Sequence, residues 1–194
     1  MLKYVQLINI MQLKSTSNME SKLLFIFENV NGWLKYIEAK NVALLTLSSA
    51  LIVCLLQILK SNEFHKQVIF FSAGYFLVVF TISVIRTLWA FVAKLKRPPT
   101  NNNNFTCYNI NLLFYGDVYT FSSEEYLNLL YESYAENGKI PEKFSQYEKD
   151  LAEQIIVNSR LAMRKGNLFN NTIYFIIIAV SIFTFIVVIF SFLC

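Results

Sequence analysis

Three long apolar runs without a charged side chain constrain this 194-residue chain more than any other feature. The first covers 42–59, the second covers 68–85 and resumes after Arg86 as far as Ala93, and the third covers 172–194. About 20 helical residues cross the roughly 30 Å hydrocarbon core of a bilayer. Composition agrees, since 55% of the residues are hydrophobic and 15% are charged, against about 25% charged in an average soluble domain. We therefore predict an all-α membrane protein with three transmembrane helices.

Two other interpretations of these runs are disfavoured. A buried core helix of about 18 or more uncharged residues is rare in a protein of this size, which has too little polar surface to cover three of them. A cleavable signal peptide does not suit the first run, because some forty residues precede it, several of them charged, and no small-residue cleavage site follows. The first run is therefore expected to remain in the mature protein.

Lysine and arginine lie mainly on one side of the predicted spans. That side carries Lys35, Lys40, Lys94, Lys96, Arg97, Arg160, Arg164 and Lys165, whereas the loop between the first two spans carries Lys60 and Lys66. The positive-inside rule then places the N-terminus and 94–171 in the cytosol and the C-terminus outside. Trp33 and Trp89 lie near span ends, where interfacial aromatic residues are expected.

The spans divide the chain into four predicted parts. These are a cytosolic N-terminal amphipathic arm (1–40), a two-helix transmembrane hairpin (41–97), a small, mainly helical cytosolic sensor region (98–171) and a third transmembrane helix (172–194). In the arm, apolar residues recur at helical spacing at Leu23, Leu24, Phe27, Leu34 and Ile37. We expect this helix to pack on the cytosolic region instead of lying on the membrane surface, because acidic residues offset its basic ones.

Two helices are predicted within the cytosolic region. Ser122 or Ser123 can cap the first, which Glu124 and Glu125 favour through the helix dipole and which runs to about Tyr134. Pro141 is expected to open the second, which continues towards the third span.

The second of these helices has a polar stripe. At 100° per residue a stripe about 80° wide contains Asp150, Gln154, Asn158 and Lys165. An apolar stripe contains Leu151, Ile155, Ala162 and Phe169, and a charged, solvent-facing side contains Lys149, Glu153, Arg160 and Arg164. The polar stripe either binds a ligand or forms a packing boundary between helices, and helical spacing leaves both interpretations open.

Several kinds of chemistry are excluded or disfavoured by the residues. The only histidine is His65, the three cysteines lack metal-site spacing, and the five glycines are too far apart for a phosphate loop. No nucleophile has a base in its motif, so we predict no enzyme, no metal and no cofactor. A net charge of +4, spread over several clusters, does not favour nucleic acid. Arg86 either lines a pore or snorkels at the membrane boundary, and we favour snorkelling.

Three segments occur in a characteristic order along the chain. They are Trp33-Leu-Lys-Tyr-Ile-Glu-Ala-Lys-Asn41 before the first span, Asn111-Leu-Leu-Phe-Tyr-Gly-Asp117 with a downstream Glu125-Tyr126, and Asp150-Leu-Ala-Glu-Gln-Ile-Ile-Val-Asn-Ser-Arg-Leu-Ala-Met-Arg-Lys165 before the third span. Over about residues 30–190 this order resembles the transmembrane Pycsar effectors of bacterial antiphage defence. The family usually has Lys-Tyr before its last span, where this chain has Lys165-Gly166.

The resemblance implies a bacterial inner-membrane protein that binds cyclic CMP or cyclic UMP, made by a partner pyrimidine cyclase. It then impairs the membrane and causes abortive infection. The predicted topology fits, because such a ligand is cytosolic. We also expect a homo-oligomer in the lipid bilayer.

A cyclic nucleotide needs a cation for its phosphate, an aromatic face for its base and polar groups for the base edge and ribose. Chemically suitable side chains are Arg160, Arg164 or Lys165 for the phosphate, Tyr115 or Tyr119 for the base, and Asp117, Gln154 or Asn158 for the edges. These candidates come from side-chain chemistry and not from the family.

Two other functions remain open at this point. One is a related two-span effector of another nucleotide-signalled defence system, and the third predicted span argues against it. A ligand-free structural or assembly subunit of a membrane complex would use the polar stripe only to bind a partner.

Overall fold

The computed structural model of the chain describes residues 18–60, 67–92, 110–135 and 139–193. In these ranges the chain forms five α-helices and no β-strand. The helices are α1 Met19–Lys60, α2 Gln67–Phe91, α3 Tyr115–Val118, α4 Ser123–Tyr134 and α5 Gln146–Leu193. The predicted all-α fold class is confirmed.

Three of these helices are long and apolar enough to cross a membrane. The candidate spans are Met19–Gln57 in α1, Phe71–Phe91 in α2 and Gln146–Ile186 in α5. The predicted runs 42–59 and 172–193 form the C-terminal parts of α1 and α5, whereas α2 ends at Phe91 and the predicted end at Ala93 lies outside the described residues. The prediction of three apolar helices is therefore confirmed.

The chain divides into two units by its internal contacts. The first comprises the described residues of Met1–Tyr36 and Lys94–Met163, and the second those of Ile37–Ala93 and Arg164–Cys194. Helices α1 and α5 contribute residues to both units. Contacts within a chain do not locate a bilayer, so the four-part division into arm, hairpin, sensor region and third span stays a prediction.

The first unit has an apolar core made by three helices. Core residues include Leu23, Ile26 and Val30 of α1, Leu127 and Leu130 of α4, and Leu151, Ile155 and Ile156 of α5. The helix of the predicted arm thus packs on α4 and α5, and the cytosolic location of these helices stays a prediction. The predicted packing is wrong for Leu24, which is 41% exposed, because a residue 100° from Leu23 points away from the core face.

Two serine caps set the starts of α4 and α5. Ser122 Oγ accepts a hydrogen bond from the Glu125 amide, and the Glu125 carboxylate accepts one from the Ser122 amide, as a capping box. The predicted bounds of this helix are therefore confirmed. Ser145 and Glu148 repeat the pattern, with Ser145 Oγ accepting from the Glu148 amide at 3.1 Å. The prediction that Pro141 opens the second helix is wrong, because this box begins α5 at Gln146.

In the second unit α1 and α5 run in the same direction. Lys165 forms an ion pair with Glu38, and Lys40 Nζ lies 5.6 Å from the ring centroid of Phe169. These two contacts advance together along both helices, which fixes their relative direction.

Helix α2 is antiparallel to α5 in the same unit, because its later residue Arg86 contacts the earlier part of α5. The Arg86 guanidinium lies 5.7 Å from the ring centroid of Phe175, and the Tyr75 hydroxyl donates to the Ala179 carbonyl at 3.0 Å. Arg86 is half-buried at this contact. Its predicted snorkelling depends on the bilayer level and stays a prediction.

Candidate functional site

The loop before α4 is held in one shape by hydrogen bonds. The Asn111 amide donates to Asp117 Oδ2 at 3.0 Å, and the Leu113 amide donates to Asn111 Oδ1 at 3.0 Å. The fully buried Tyr126 donates its hydroxyl to the Leu112 carbonyl at 2.8 Å, and burial raises the pKa of this phenol. At least one oxygen of the candidate Asp117 therefore has a structural role.

The candidate Tyr115 belongs to an aromatic cluster of the first unit. Its ring centroid lies 5.9 Å from that of Trp33 and 4.8 Å from that of Phe114, and Trp33 in turn meets Tyr36 edge-on at 6.2 Å. Phe114 and Tyr36 are 36% and 51% exposed, so part of the cluster is open to solvent. Residue 116 is glycine, and a Cβ atom at this position would clash with the Phe114 ring.

Trp33 was not among the predicted site residues. Its position near the first span indicated only an interfacial aromatic residue, and 33 and 115 are too far apart in sequence for any local pattern to pair them. An aromatic cluster with exposed edges offers the stacking surface that a nucleotide base requires.

Arg160 connects α5 to the loop before α4. Its Nε donates to the Tyr119 carbonyl and its Nη2 to the Phe121 carbonyl, each at 2.9 Å. The prediction that Arg160 faces solvent is wrong, because the side chain is half-buried against this loop. Helical periodicity gives the direction of a side chain but not the segment that packs there. The contact brings the positive charge of Arg160 next to the loop that carries Tyr119 and Asp117.

The polar stripe of α5 has two different environments. Asn158 Nδ2 donates to Asn31 Oδ1 of α1 at 2.7 Å, so this part of the stripe is a helix-packing contact. Gln154 is exposed. Asp150 accepts a hydrogen bond from Gln146 Nε2 at 2.8 Å within the same helix. Packing therefore explains Asn158, whereas the Gln154 side chain is accessible to a ligand.

The last two candidate cations belong to the second unit. Lys165 is engaged by the Glu38 carboxylate, with 13% of its side chain exposed. Arg164 is half-buried, and the described part of the chain provides no hydrogen-bond or ion-pair partner for it. Of the eight predicted site residues, the first unit contains Tyr115, Asp117, Tyr119, Gln154, Asn158 and Arg160.

Two buried polar contacts tie α4 to its neighbours, and sequence analysis missed both. The Tyr131 hydroxyl donates to Glu148 Oε1 at 2.5 Å, and Glu148 is 6% exposed. Burial, strengthened by this hydrogen bond, raises the pKa of Tyr131. Lys22 of α1 is 5% exposed and donates to the carbonyl of Tyr134, the last residue of α4, at 2.8 Å.

Within the described residues, no group of three or more His, Cys, Asp or Glu side chains could hold a metal ion. For recognition of a ligand the first unit offers hydrogen-bonding side chains, aromatic rings and cations such as Arg160.

Comparison with known protein families places the chain. The family described as the Pycsar effector protein domain matches residues 22–193, so the match extends further towards the N-terminus than the resemblance over 30–190. Comparisons with curated proteins and with solved structures found no match. The transmembrane branch of this family is not an enzyme family, and its inner-membrane location agrees with three apolar helices. The chain belongs to the Pycsar effector family and is a membrane effector of Pycsar antiphage defence.

Proposed function

We propose that this effector binds cyclic CMP or cyclic UMP in the cytosol and then impairs the inner membrane, which arrests the infected cell. The observation that carries the proposal is that α1 and α5 each contribute to both units. A ligand that changes the packing of the first unit acts on the same two helices that provide two of the spans. Such a ligand shifts the protein only if it binds the two arrangements with different affinity.

The chemistry of the first unit supports a nucleotide ligand. Arg160 supplies a cation for the single phosphate charge, and Tyr115 supplies a ring for the base. Gln154 is exposed and can bond a base edge or the ribose. Arg164 and Lys165 are the alternative cations, although Lys165 is already neutralised by Glu38.

The proposed topology has the N-terminus and the central region in the cytosol and the C-terminus outside. Lys/Arg asymmetry supports it. A reporter that is active only outside the cytosol should give a signal when inserted at residue 63 and none when inserted after residue 100. The reverse pattern would contradict this topology, and access of a cytosolic ligand to the first unit with it.

The main experiment compares membrane potential with and without the signal. Cells that express the effector with an active pyrimidine cyclase should depolarise, whereas a cyclase with a destroyed active site should leave the potential unchanged. Equal depolarisation in both cultures would show that the effector has no nucleotide gate. No depolarisation in either would remove membrane impairment from the proposal.

A ligand-free assembly subunit remains the second candidate, and the Asn158–Asn31 contact favours it because it uses the polar stripe for packing. If the gene beside the one for this chain encodes a pyrimidine cyclase, the effector with a nucleotide ligand is favoured. Isothermal calorimetry in detergent with cyclic CMP and cyclic UMP separates the two candidates, since a subunit without a ligand produces no binding heat. Light scattering of the same sample tests the proposed homo-oligomer.

A further inference from the structure

The interior of the second unit is unusually polar for a bundle of apolar helices. Among its described residues, five buried side chains are polar, and we call them the polar seam: Asn41, Ser48, Ser83, Thr87 and Thr172, each at most 2% exposed. Many of its large apolar side chains point outward, as shown by Phe71 at 72%, Tyr174 at 62% and Phe185 at 66% exposure, although Leu44 and Val79 are buried. Polar residues in membrane helices face either a partner helix or a water-filled path.

All three spans contribute to the polar seam, and three of its members lie at one level. The contacts of α1 with α5 step from 38 and 165 to 40 and 169, so Asn41 lies within about one helical turn of Thr172. Thr87 follows Arg86, whose partner Phe175 is within about one turn of Thr172. Ser48 and Ser83 continue the polar seam deeper into the unit.

Three of the four hydroxyl groups of the polar seam bond within their own helices. Ser83 donates to the Val79 carbonyl, Thr87 to the Ser83 carbonyl and Thr172 to the Leu168 carbonyl, each at 2.8 Å and each within its own helix. Interhelical polar attraction therefore does not explain these three residues. Separating the spans breaks none of these bonds, and the lone pairs of the hydroxyl oxygens stay available as acceptors.

Asn41 adds an independent observation. Its Nδ2 donates to the Ile37 carbonyl of its own helix at 3.0 Å, while its buried Oδ1 has no hydrogen-bond partner among the described residues. A buried amide oxygen without a partner is costly and is stabilised by water or a cation. Four members of the polar seam, Asn41, Ser83, Thr87 and Thr172, thus contain oxygen acceptors whose own donors are already satisfied.

We infer that the polar seam lines one end of the route by which water and monovalent cations cross the bilayer when the effector is activated. Oxygen acceptors suit cations and water protons and do not suit anions. The inference rests on the proposed function, because it names the path through which membrane impairment occurs. Nucleotide binding parts the spans along the polar seam, where hydration of the oxygens compensates for lost packing.

Cysteine accessibility tests the path directly. In a background with Cys54→Ser, Cys107→Ser and Cys194→Ser, the near-isosteric changes Ser48→Cys and Ser83→Cys place a thiol in the polar seam. The matched controls are Leu47→Cys and Ile82→Cys at the adjacent outward positions. The native Leu47 and Ile82 side chains are 59% and 39% exposed. A small, positively charged methanethiosulfonate reagent is added to cells with active or inactive cyclase, and a negatively charged one serves for comparison.

Modification of the seam thiols by the cationic reagent should rise about tenfold with active cyclase, and that of the control thiols less than about twofold. The anionic reagent should react more slowly with the seam thiols. Seam thiols that stay unmodified, or react equally with both cyclases, overturn the inference. Membrane potential recorded in the same cells judges the proposed function separately, because depolarisation with protected seam thiols would refute only the path.

A second variant tests the oxygens without a reagent. Thr87→Val keeps the side-chain shape but removes an acceptor from the polar seam, and Thr81→Val is its control, because Thr81 is exposed on the same helix with the same 2.8 Å bond, to the Leu77 carbonyl. We expect cyclase-dependent depolarisation to slow about tenfold in Thr87→Val with unchanged nucleotide affinity, and not in Thr81→Val. Equal rates in the two variants would contradict a role for the seam oxygens.

Discussion

The two units bury different mixtures of residues. The first encloses large apolar side chains such as Leu23 and Leu127, and its buried Glu148 accepts a hydrogen bond from Tyr131 of a neighbouring helix. The second encloses the polar seam together with apolar side chains such as Leu44 and Val79, and turns many of its large apolar residues outward. Water drives the first arrangement through the hydrophobic effect, whereas lipid tails give large apolar residues no reason to leave the surface.

This difference indicates which unit can rearrange. Cross-helix hydrogen bonds and a packed core make the first unit a single cooperative body, because each contact is lost when the helices part. In the second unit Ser83, Thr87 and Thr172 bond within their own helices, so parting the spans leaves these three bonds intact, although it breaks the bond from Tyr75 to Ala179. We therefore expect the first unit to keep its fold during signalling and the second to repack.

The largest effect is expected when a core side chain of the first unit is shortened. Leu127→Ala removes a fully buried side chain and should destabilise the first unit by about 2–5 kcal/mol. Hydrogen exchange of the α4 amides in detergent measures the loss, while membrane insertion should be unchanged.

Leu24→Ala is the matched control, because native Leu24 is 41% exposed on the same unit. Its effect should stay within about 0.5 kcal/mol. Similar exchange rates in both variants would show that the first unit has no cooperative core, and the contrast between the units would fail.

A smaller effect separates packing from ligand binding on the polar stripe. Asn158→Ala leaves the half-buried Asn31 partner unpaired, which costs about 1–3 kcal/mol and should lower both the stability of the first unit and its nucleotide affinity. Gln154→Ala should weaken nucleotide binding by about five- to a hundredfold and leave stability unchanged, since native Gln154 is exposed.

Asn128→Ala is the control for both variants, because Asn128 is exposed on α4. Calorimetry with cyclic CMP and cyclic UMP measures affinity, and thermal unfolding measures stability. Unchanged affinity in Gln154→Ala and Asn158→Ala would show that the stripe is only a packing boundary.

Local and periodic features were predictable from the sequence, because they depend on neighbours in the chain. The apolar runs predict the candidate spans, and the serines before two glutamates predict the start of α4. The same S-x-x-E pattern at Ser145, and not Pro141, is the sequence signal for the start of α5.

Contacts between distant segments were not predictable. Nothing in the sequence relates Trp33 to Tyr115 or Lys22 to Tyr134. The Arg160 contact was also missed, because a helical wheel cannot show that a loop forty residues away covers the charged side. Residue types that suit a nucleotide were identifiable, but their grouping required the packing of α1 and α5 on that loop.

The smallest predicted effect concerns the cap of α4 and its pH dependence. Ser122→Ala removes the hydroxyl that accepts from the Glu125 amide and should destabilise the first unit by about 0.5–2 kcal/mol. Hydrogen bonds from the Ser122 amide and hydroxyl also hold the pKa of the Glu125 carboxyl below its ordinary value of 4.5. The folded state therefore prefers ionised Glu125, so this contribution is full above the unfolded pKa and disappears as pH falls through the lower folded pKa. Thermal unfolding should show Ser122→Ala less stable than native protein near neutral pH, with the gap narrowing below pH 4.5. Ser123→Ala, one residue inside the helix, should match the native protein throughout. A stability difference that is constant with pH would mean that the cap acts without the Glu125 charge. No difference at any pH would mean that the capping hydroxyl adds nothing to the stability of the first unit, which would contradict a cooperative unit.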